Sequence, residues 1–230
     1  MRRFSRVPVC ADCLKDPAPL SAEFFCLNCR TPFRNSFPLD SEGRCMLCRS
    51  GRRGFDEAFC YGAYEGTLRK LIHLFKYSGI RRLARPLGAL LSDALPRDRQ
   101  FDVVTAVPLH WRRRWQRGFN QSELLGKAIG RARGIPAMNV LRRRSATRAQ
   151  AGLSNAQRRE NVAGAFRARR RVNGLRILLV DDVMTTGATA GACARALKQA
   201  GAKSVSLLSL ARVDRRYTDH ADLRKRKGPV

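Results

Sequence analysis

Two adjacent acids, Asp181 and Asp182, close an apolar run, and Thr185-Thr186-Gly187-Ala188-Thr189 follows a few residues later. Paired carboxylates accept hydrogen bonds from two neighbouring sugar hydroxyls. A small-residue loop that opens a helix presents unpaired N–H groups and a partial positive charge, which together hold a phosphate. Gly187 lets the backbone approach an anion closely, and the threonine hydroxyls add donors. Acids for a diol beside a loop for a phosphate describe a ribose 5-phosphate site. The run lacks the Gly-Lys-Thr ending of a Walker A loop and the spacing G-x-G-x-x-G of dinucleotide folds.

The cysteines suggest a second chemistry. Of eight, six come as C-x-x-C pairs: Cys10/Cys13, Cys26/Cys29 and Cys45/Cys48. The last two pairs give C-x2-C-x15-C-x2-C, within the range of a four-cysteine zinc site. Pro32, Asn35, Pro38 and Gly43 between them supply the turns of a ribbon. Four soft thiolates favour tetrahedral, structural zinc. A redox C-x-x-C usually stands once beside a βαβ pattern, so three copies argue for metal. Cys10 and Cys13 form an orphan pair, because two ligands cannot close a tetrahedral site. They either join another site, or another C-x-x-C pair is missing upstream. The rival expectation is a reduced ribbon in which they are relics. Cys60 and Cys193 stand among apolar neighbours and read as core residues.

These groups need a scaffold, and the rest of the chain reads as one. Phe59–Tyr64 is a strand, and Leu68, Leu71, Ile72 and Phe75 then follow helical spacing. His73 faces away from that stripe as a surface residue. Leu83–Leu95 is a second helix, Asp102–Val107 a buried strand, and Asn120–Arg131 a helix capped by its own first residue. Val140-Leu141 starts a short strand. Arg176–Val180 is an apolar strand of the parallel-sheet type, ending at the two acids. Thr189–Ala200 is a helix stopped by Gly201, and Ser204–Leu210 is a further strand. Such alternation implies an α/β fold with a parallel sheet flanked by helices. The expected organisation is a cysteine module over 1–55, an α/β body over 56–212 and a basic tail over 213–230. The charged stretch from Arg212 onward reads as a frayed end.

Lys and Arg number 46 against 18 acids, a net charge of +28. Such a field attracts polyanions, so nucleic acid or a phosphorylated small molecule is the partner class. Trp111, Trp115 and Phe119 sit among arginines, where they serve either base stacking or packing. No apolar run reaches the length of a membrane span, and the basic start lacks the apolar core of a secretory signal. A cytoplasmic protein is expected.

The motif ILLVDDVMTTGAT (177–189) is similar to the phosphoribosyl pyrophosphate signature of type I phosphoribosyltransferases. YEGTLRKLIHLFKY (64–77), VPLHWRRRWQRGFNQSELL (107–125) and TRAQAGLSNAQRRENVAGAF (147–166) resemble the ComF family in order and spacing. That resemblance implies cysteine zinc ribbons joined to a phosphoribosyltransferase fold, and a role in DNA uptake during natural transformation. It implies that Asp181 and Asp182 hold the ribose hydroxyls of phosphoribosyl pyrophosphate, and that residues 185–189, Ala188 included, hold its 5-phosphate. Pro108, Leu109, Arg112, Arg113 and Arg117 would form the pyrophosphate loop. Gln150, Arg158 and Asn161 would lie on the loop that closes over ligand. Cys26, Cys29, Cys45 and Cys48 would bind Zn²⁺, and Mg²⁺ would accompany the pyrophosphate. Single-stranded DNA and proteins of the uptake machinery are the implied partners. An active transferase on an unidentified acceptor and a nucleotide-responsive regulator are the alternatives. Neither His110 nor His73 has a spacing that singles out a general base.

Overall fold

The structure is a computed structural model; it describes residues 9–109, 111–144 and 164–213, without the side chains of 112–114. The body is a four-stranded, all-parallel sheet in the order β3-β8-β7-β4. Its strands are β3 (Glu57–Ala63), β4 (Val103–Ala106), β7 (Arg176–Met184) and β8 (Ser204–Arg212). Two short antiparallel pairs, β1 (Phe24–Phe25) with β2 (Pro32–Phe33) and β5 (Leu141–Arg143) with β6 (Phe166–Ala168), lie outside it.

Alternation along the central strands splits the core in two. On β7, Leu178 and Val180 face one layer, while Ile177 and Leu179 face the other. The first layer holds α3 (Gly66–Tyr77), α4 (Ala84–Ala94) and α6 (Gln121–Arg133), through Leu71, Phe75, Leu87, Leu91, Leu125 and Ile129. The second holds α7 (Ala188–Gln199), the β5–β6 pair and the cysteine module, whose Cys26, Cys29 and Cys45 share one apolar cluster with Leu179, Cys193 and Leu207. Both faces of the sheet are covered, which is why its strands read as continuous apolar runs. Each fully buried leucine contributes about 1.5–3 kcal/mol.

Three expectations need correction. β7 does not end at the acids; it runs on to Met184, because Asp181, Val183 and Met184 still pair with Ser209, Ala211 and Arg212 of β8. Arg212 is not part of a frayed tail: it is a strand residue, 3% exposed, with its guanidinium on the cysteine module. The segment after Pro108 is not an open loop throughout, because α5 (Trp111–Arg117) turns within it. Two shorter helices, α1 (Ala11–Lys15) and α2 (Met46–Arg49), start at the cysteine pairs, with Cys10 and Cys45 as their N-caps.

Candidate functional site

Parallel strands gather their carboxyl ends on one edge, and ligands bind in the crevice beyond it. Here that crevice is a cleft of about 300 Å³ lined by Asp181, Asp182, Thr185, Gly187, Ala188 and Thr189 from the β7–α7 connection. Pro108, Leu109 and Arg117 line it from the β4–α6 connection. The sequence-predicted residues therefore converge, with exceptions. Thr186 turns toward a second cavity. Arg112 and Arg113 fall on α5, their side chains outside the described residues, as are Gln150, Arg158, Asn161 and His110 altogether.

Local chemistry explains the geometry. Gly187 caps α7 at φ 75°, a left-handed conformation that favours glycine. Asn120 caps α6: its side chain accepts from Ser122 N and donates to the Val107 carbonyl, so it staples the helix to the end of β4. Ser122 Oγ then donates to Asp181 Oδ1 at 3.2 Å. The Asp182 N–H also donates to that oxygen, at 2.9 Å. Lys76, from α3, puts Nζ 2.8 Å from Asp182 Oδ1.

Burial, with the Asp182 charge beside it, pushes the Asp181 carboxyl up to about 7, against the opposing pull of Lys76 and the two hydrogen bonds. Burial works against the Lys76 ammonium, but the charge and hydrogen bond of Asp182 outweigh it and raise its pKa. Lys76, Ser122, Tyr64, Tyr77 and Arg143 are cleft residues that motif reading passed over. Lys76 and Ser122 lie within the ComF-like segments 64–77 and 107–125, but neither residue type carries a ligand signature of its own there. Arg117 lies over the Tyr77 ring at 4.9 Å and donates to Gln121 Oε1 at 3.2 Å.

The cysteine module holds a compact donor set. The Sγ atoms of Cys26, Cys29, Cys45 and Cys48 all lie within 4.8 Å of one another. Zinc–thiolate bonds of about 2.3 Å put tetrahedral sulfurs about 3.8 Å apart, and Cys29 Sγ to Cys45 Sγ is 3.8 Å. The residues fit a tetrahedral metal ion. Thiol hydrogen bonds, first from Cys26 and then from Cys45 and Cys48, drive the Cys29 pKa far below the thiol range. Hydrogen bonding from Cys26 likewise brings Cys45 down to about 6. Cys10 and Cys13 are exposed and lie outside this cluster, joined to each other by a 3.4 Å contact from Cys13 N to Cys10 Sγ. Cys193 is buried, as expected, and Cys60 is half-buried.

A second cavity, about 330 Å³, lies between module and body. Pro32, Phe33, Pro38, Met46 and Leu47 give it an apolar wall; Arg52, Arg53, Arg195 and Arg212 give it a cationic one. It shares Thr185, Gly187 and Ala188 with the cleft, so the loop separates the two spaces.

A parallel sheet with an acid pair and a glycine-capped helix at its carboxyl edge defines a phosphoribosyltransferase fold, here carrying an N-terminal cysteine module. A family model described as "Phosphoribosyl transferase domain" matches residues 128–227. Competence protein F of Haemophilus influenzae is 34% identical over 179 residues, 73% of this chain and 78% of its own. The DNA utilization protein YhgH of Escherichia coli is 36% identical over 156 residues, 65% and 69% of the two chains. Competence protein ComFC of Streptococcus pneumoniae is 26% identical over 204 residues, 89% and 87% of the two. Among solved structures, the glutamine phosphoribosylpyrophosphate amidotransferase of B. subtilis overlaps 54% of this chain and 25% of its own at 28% identity and a TM-score of 0.38. The chain belongs to the ComF family.

Proposed function

We propose that the cleft binds phosphoribosyl pyrophosphate or a related nucleotide, and that the protein uses this site together with single-stranded DNA in DNA uptake. The observation that carries the reading is the convergence of Asp181, Asp182, Thr185, Gly187–Thr189 and Arg117 on one cleft. The acids accept from the 2- and 3-hydroxyls of the ribose. The N–H group of Gly187 and the Thr189 hydroxyl take the 5-phosphate. Arg117 faces the pyrophosphate, where a guanidinium fork suits phosphate oxygens. Mg²⁺ arrives on the pyrophosphate and keeps several of its waters, so no protein cage for it is needed. Zn²⁺ in the four-cysteine cluster supplies structure to the module.

The DNA half rests on three supports. The net charge is +28, two relatives bear competence names and another a DNA utilization name, and Trp111 and Trp115 stand 67% and 84% exposed on the arginine-rich α5. Phe119 packs against Phe75 instead, at 5.8 Å, and is left out of the DNA surface. A ligand of this kind is intracellular, so the site works in the cytoplasm. No helix among the described residues is long and apolar enough to cross a membrane.

Isothermal calorimetry with phosphoribosyl pyrophosphate and Mg²⁺ tests the site. Asp181→Ala with Asp182→Ala removes the sugar contacts and should weaken binding at least tenfold in a folded protein. Unchanged affinity would reject the assignment.

Arg117 on the wall of the cleft favours one further reading, catalysis on an acceptor that enters the same cleft. The anomeric carbon would then exchange pyrophosphate for the acceptor, with Arg117 stabilising charge on the leaving group. Pyrophosphate release on adding candidate acceptors supports this reading; single-strand binding without release supports the first.

A further inference from the structure

A continuous chain of polar contacts runs from the cysteine cluster to the loop at the cleft. Cys29 Sγ lies 2.9 Å from Thr31 Oγ1. That hydroxyl oxygen accepts from Arg53 Nη2 at 3.3 Å and from Arg212 Nη2 at 3.0 Å. A hydroxyl has two acceptor lone pairs and one hydrogen. The two guanidinium groups take the lone pairs, so the hydrogen is left for the Cys29 sulfur. On its other side, Arg53 Nη1 donates to the Thr186 carbonyl in a short hydrogen bond. Arg53 is 9% exposed, and its route from module to loop lies inside the protein.

The last link controls the cleft. A peptide unit is planar and trans, so a carbonyl held in one direction fixes the next N–H in the opposite one. Arg53 holds the Thr186 carbonyl toward the module, and Gly187 N–H is thereby turned away from it. The Thr186 hydroxyl accepts from Ala188 N at 3.3 Å, which ties the following peptide to the same residue. The backbones are also in direct contact. A Cβ at Gly191 would come within 2.2 Å of the Arg53 carbonyl oxygen, and one at Gly54 within 2.6 Å of the Gly191 carbonyl oxygen. Neither position tolerates a side chain without parting the module from the first turns of α7.

We propose that Arg53 is a positioning residue: through Thr31 and Cys29 it couples the metal cluster to the Thr186–Gly187 peptide, so that metal occupancy sets the geometry of the phosphate loop. The consequence for ligand rests on the phosphoribosyl pyrophosphate reading; the coupling itself does not. Gly187 carries no side chain to hold it, so the loop depends on this external clamp.

Hydrogen exchange on the ligand-free, zinc-loaded full chain, read over the 185–191 segment, tests the coupling. Arg53→Met keeps the shape and removes the donors; Thr31→Val removes the link to Cys29 and leaves Arg53 in place. Both should retain one zinc per chain and speed exchange at Ala188 and Gly191, whose N–H groups bond Thr186 Oγ1 and the Gly187 carbonyl, about tenfold, with β4 unchanged. Zinc removal from the unsubstituted chain with a chelator should speed the same amides, and should add little in Arg53→Met. Phosphoribosyl pyrophosphate affinity should fall in parallel with exchange. If Arg53→Met does not fold, Thr31→Val decides. Unaltered exchange over 185–191 in folded variants that keep their zinc would overturn the coupling. Equal acceleration by the chelator with and without the substitution would overturn it too. An unsubstituted chain that binds no phosphoribosyl pyrophosphate would instead reject the function reading, and the exchange result would still stand.

Discussion

Lys76 Nζ and Asp182 Oδ1 meet at 2.8 Å inside the cleft, with only 14% and 13% of their side chains exposed. An ion pair this sheltered is costly to break from one side, because the remaining charge loses its partner without regaining water. Lys76→Met should destabilise the protein by about 3 kcal/mol, and Lys76→Met with Asp182→Asn should recover part of that loss. Urea unfolding of the two variants and the unsubstituted chain checks both statements. Equal stability of Lys76→Met and the unsubstituted chain would show that the pair contributes nothing.

Asp181 makes ligand binding depend on pH near neutrality. Its folded pKa is raised to about 7, so below that pH the carboxyl is protonated and accepts less well from ribose hydroxyls. Affinity for phosphoribosyl pyrophosphate should fall as pH drops from 8 to 6, and Asp181→Asn should flatten the profile. Stability should move the other way. The unfolded carboxyl loses its proton near its ordinary pKa, so between about 4 and 7 the folded state binds the extra proton and this group's contribution declines as pH rises. Calorimetry and thermal unfolding across the pH range measure the two trends.

Gly187→Ala should harm the loop more than the fold. The left-handed φ of 75° costs a non-glycine residue about 1–2 kcal/mol. The new Cβ would also sit 3.2 Å from Arg53 Nη1. Phosphate-ligand affinity should drop at least tenfold while circular dichroism stays unchanged, and retained affinity would remove the loop from the site.

One zinc per chain is expected by elemental analysis. Cys26→Ser should abolish it, and chelation should lower the unfolding temperature. Cys10→Ser with Cys13→Ser should leave the content at one, because those sulfurs lie outside the cluster. Loss of zinc in the latter variant would place them among the ligands.

Single-stranded DNA affinity should fall steeply with salt, since each neutralised phosphate releases about 0.7 counterion. Trp111→Ala and Trp115→Ala should weaken binding by about 1–3 kcal/mol each if bases stack there, with the salt slope unchanged. Arg112→Ala with Arg113→Ala should flatten the slope. Salt-independent binding would end the nucleic-acid reading.

Much of this was legible because local signals agreed with the global fold. A continuous apolar run placed β7 and a period-3.6 stripe placed α3, since a doubly covered parallel sheet needs apolar runs and one-faced helices. Asn120 as a cap and Gly187 at a helix entrance followed from backbone chemistry alone. The misses at β7, Arg212 and Lys76 have one physical cause: they depend on partners far away in the chain. β7 extends past its acids because β8 offers it hydrogen bonds, and Arg212 is buried because Cys29 and Thr31 receive it. Lys76 joins the cleft only when α3 folds over the end of β7, and a spacing rule does not see across that distance.

The sheet order carries a consequence for synthesis on the ribosome. Among the described residues β8 is the last strand to be made, yet it lies between β3 and β7 and pairs with both. Ala58 therefore waits for Leu207, and the cysteine module for Arg212. At about 5–20 residues per second, that interval is roughly 8–30 seconds. The four cysteines leave the ribosome long before the surface that covers them exists. The cysteine donors are thus available to a metal ion before the sheet closes, and a chain cut short before residue 204 would lack β8, the strand that joins β3 to β7.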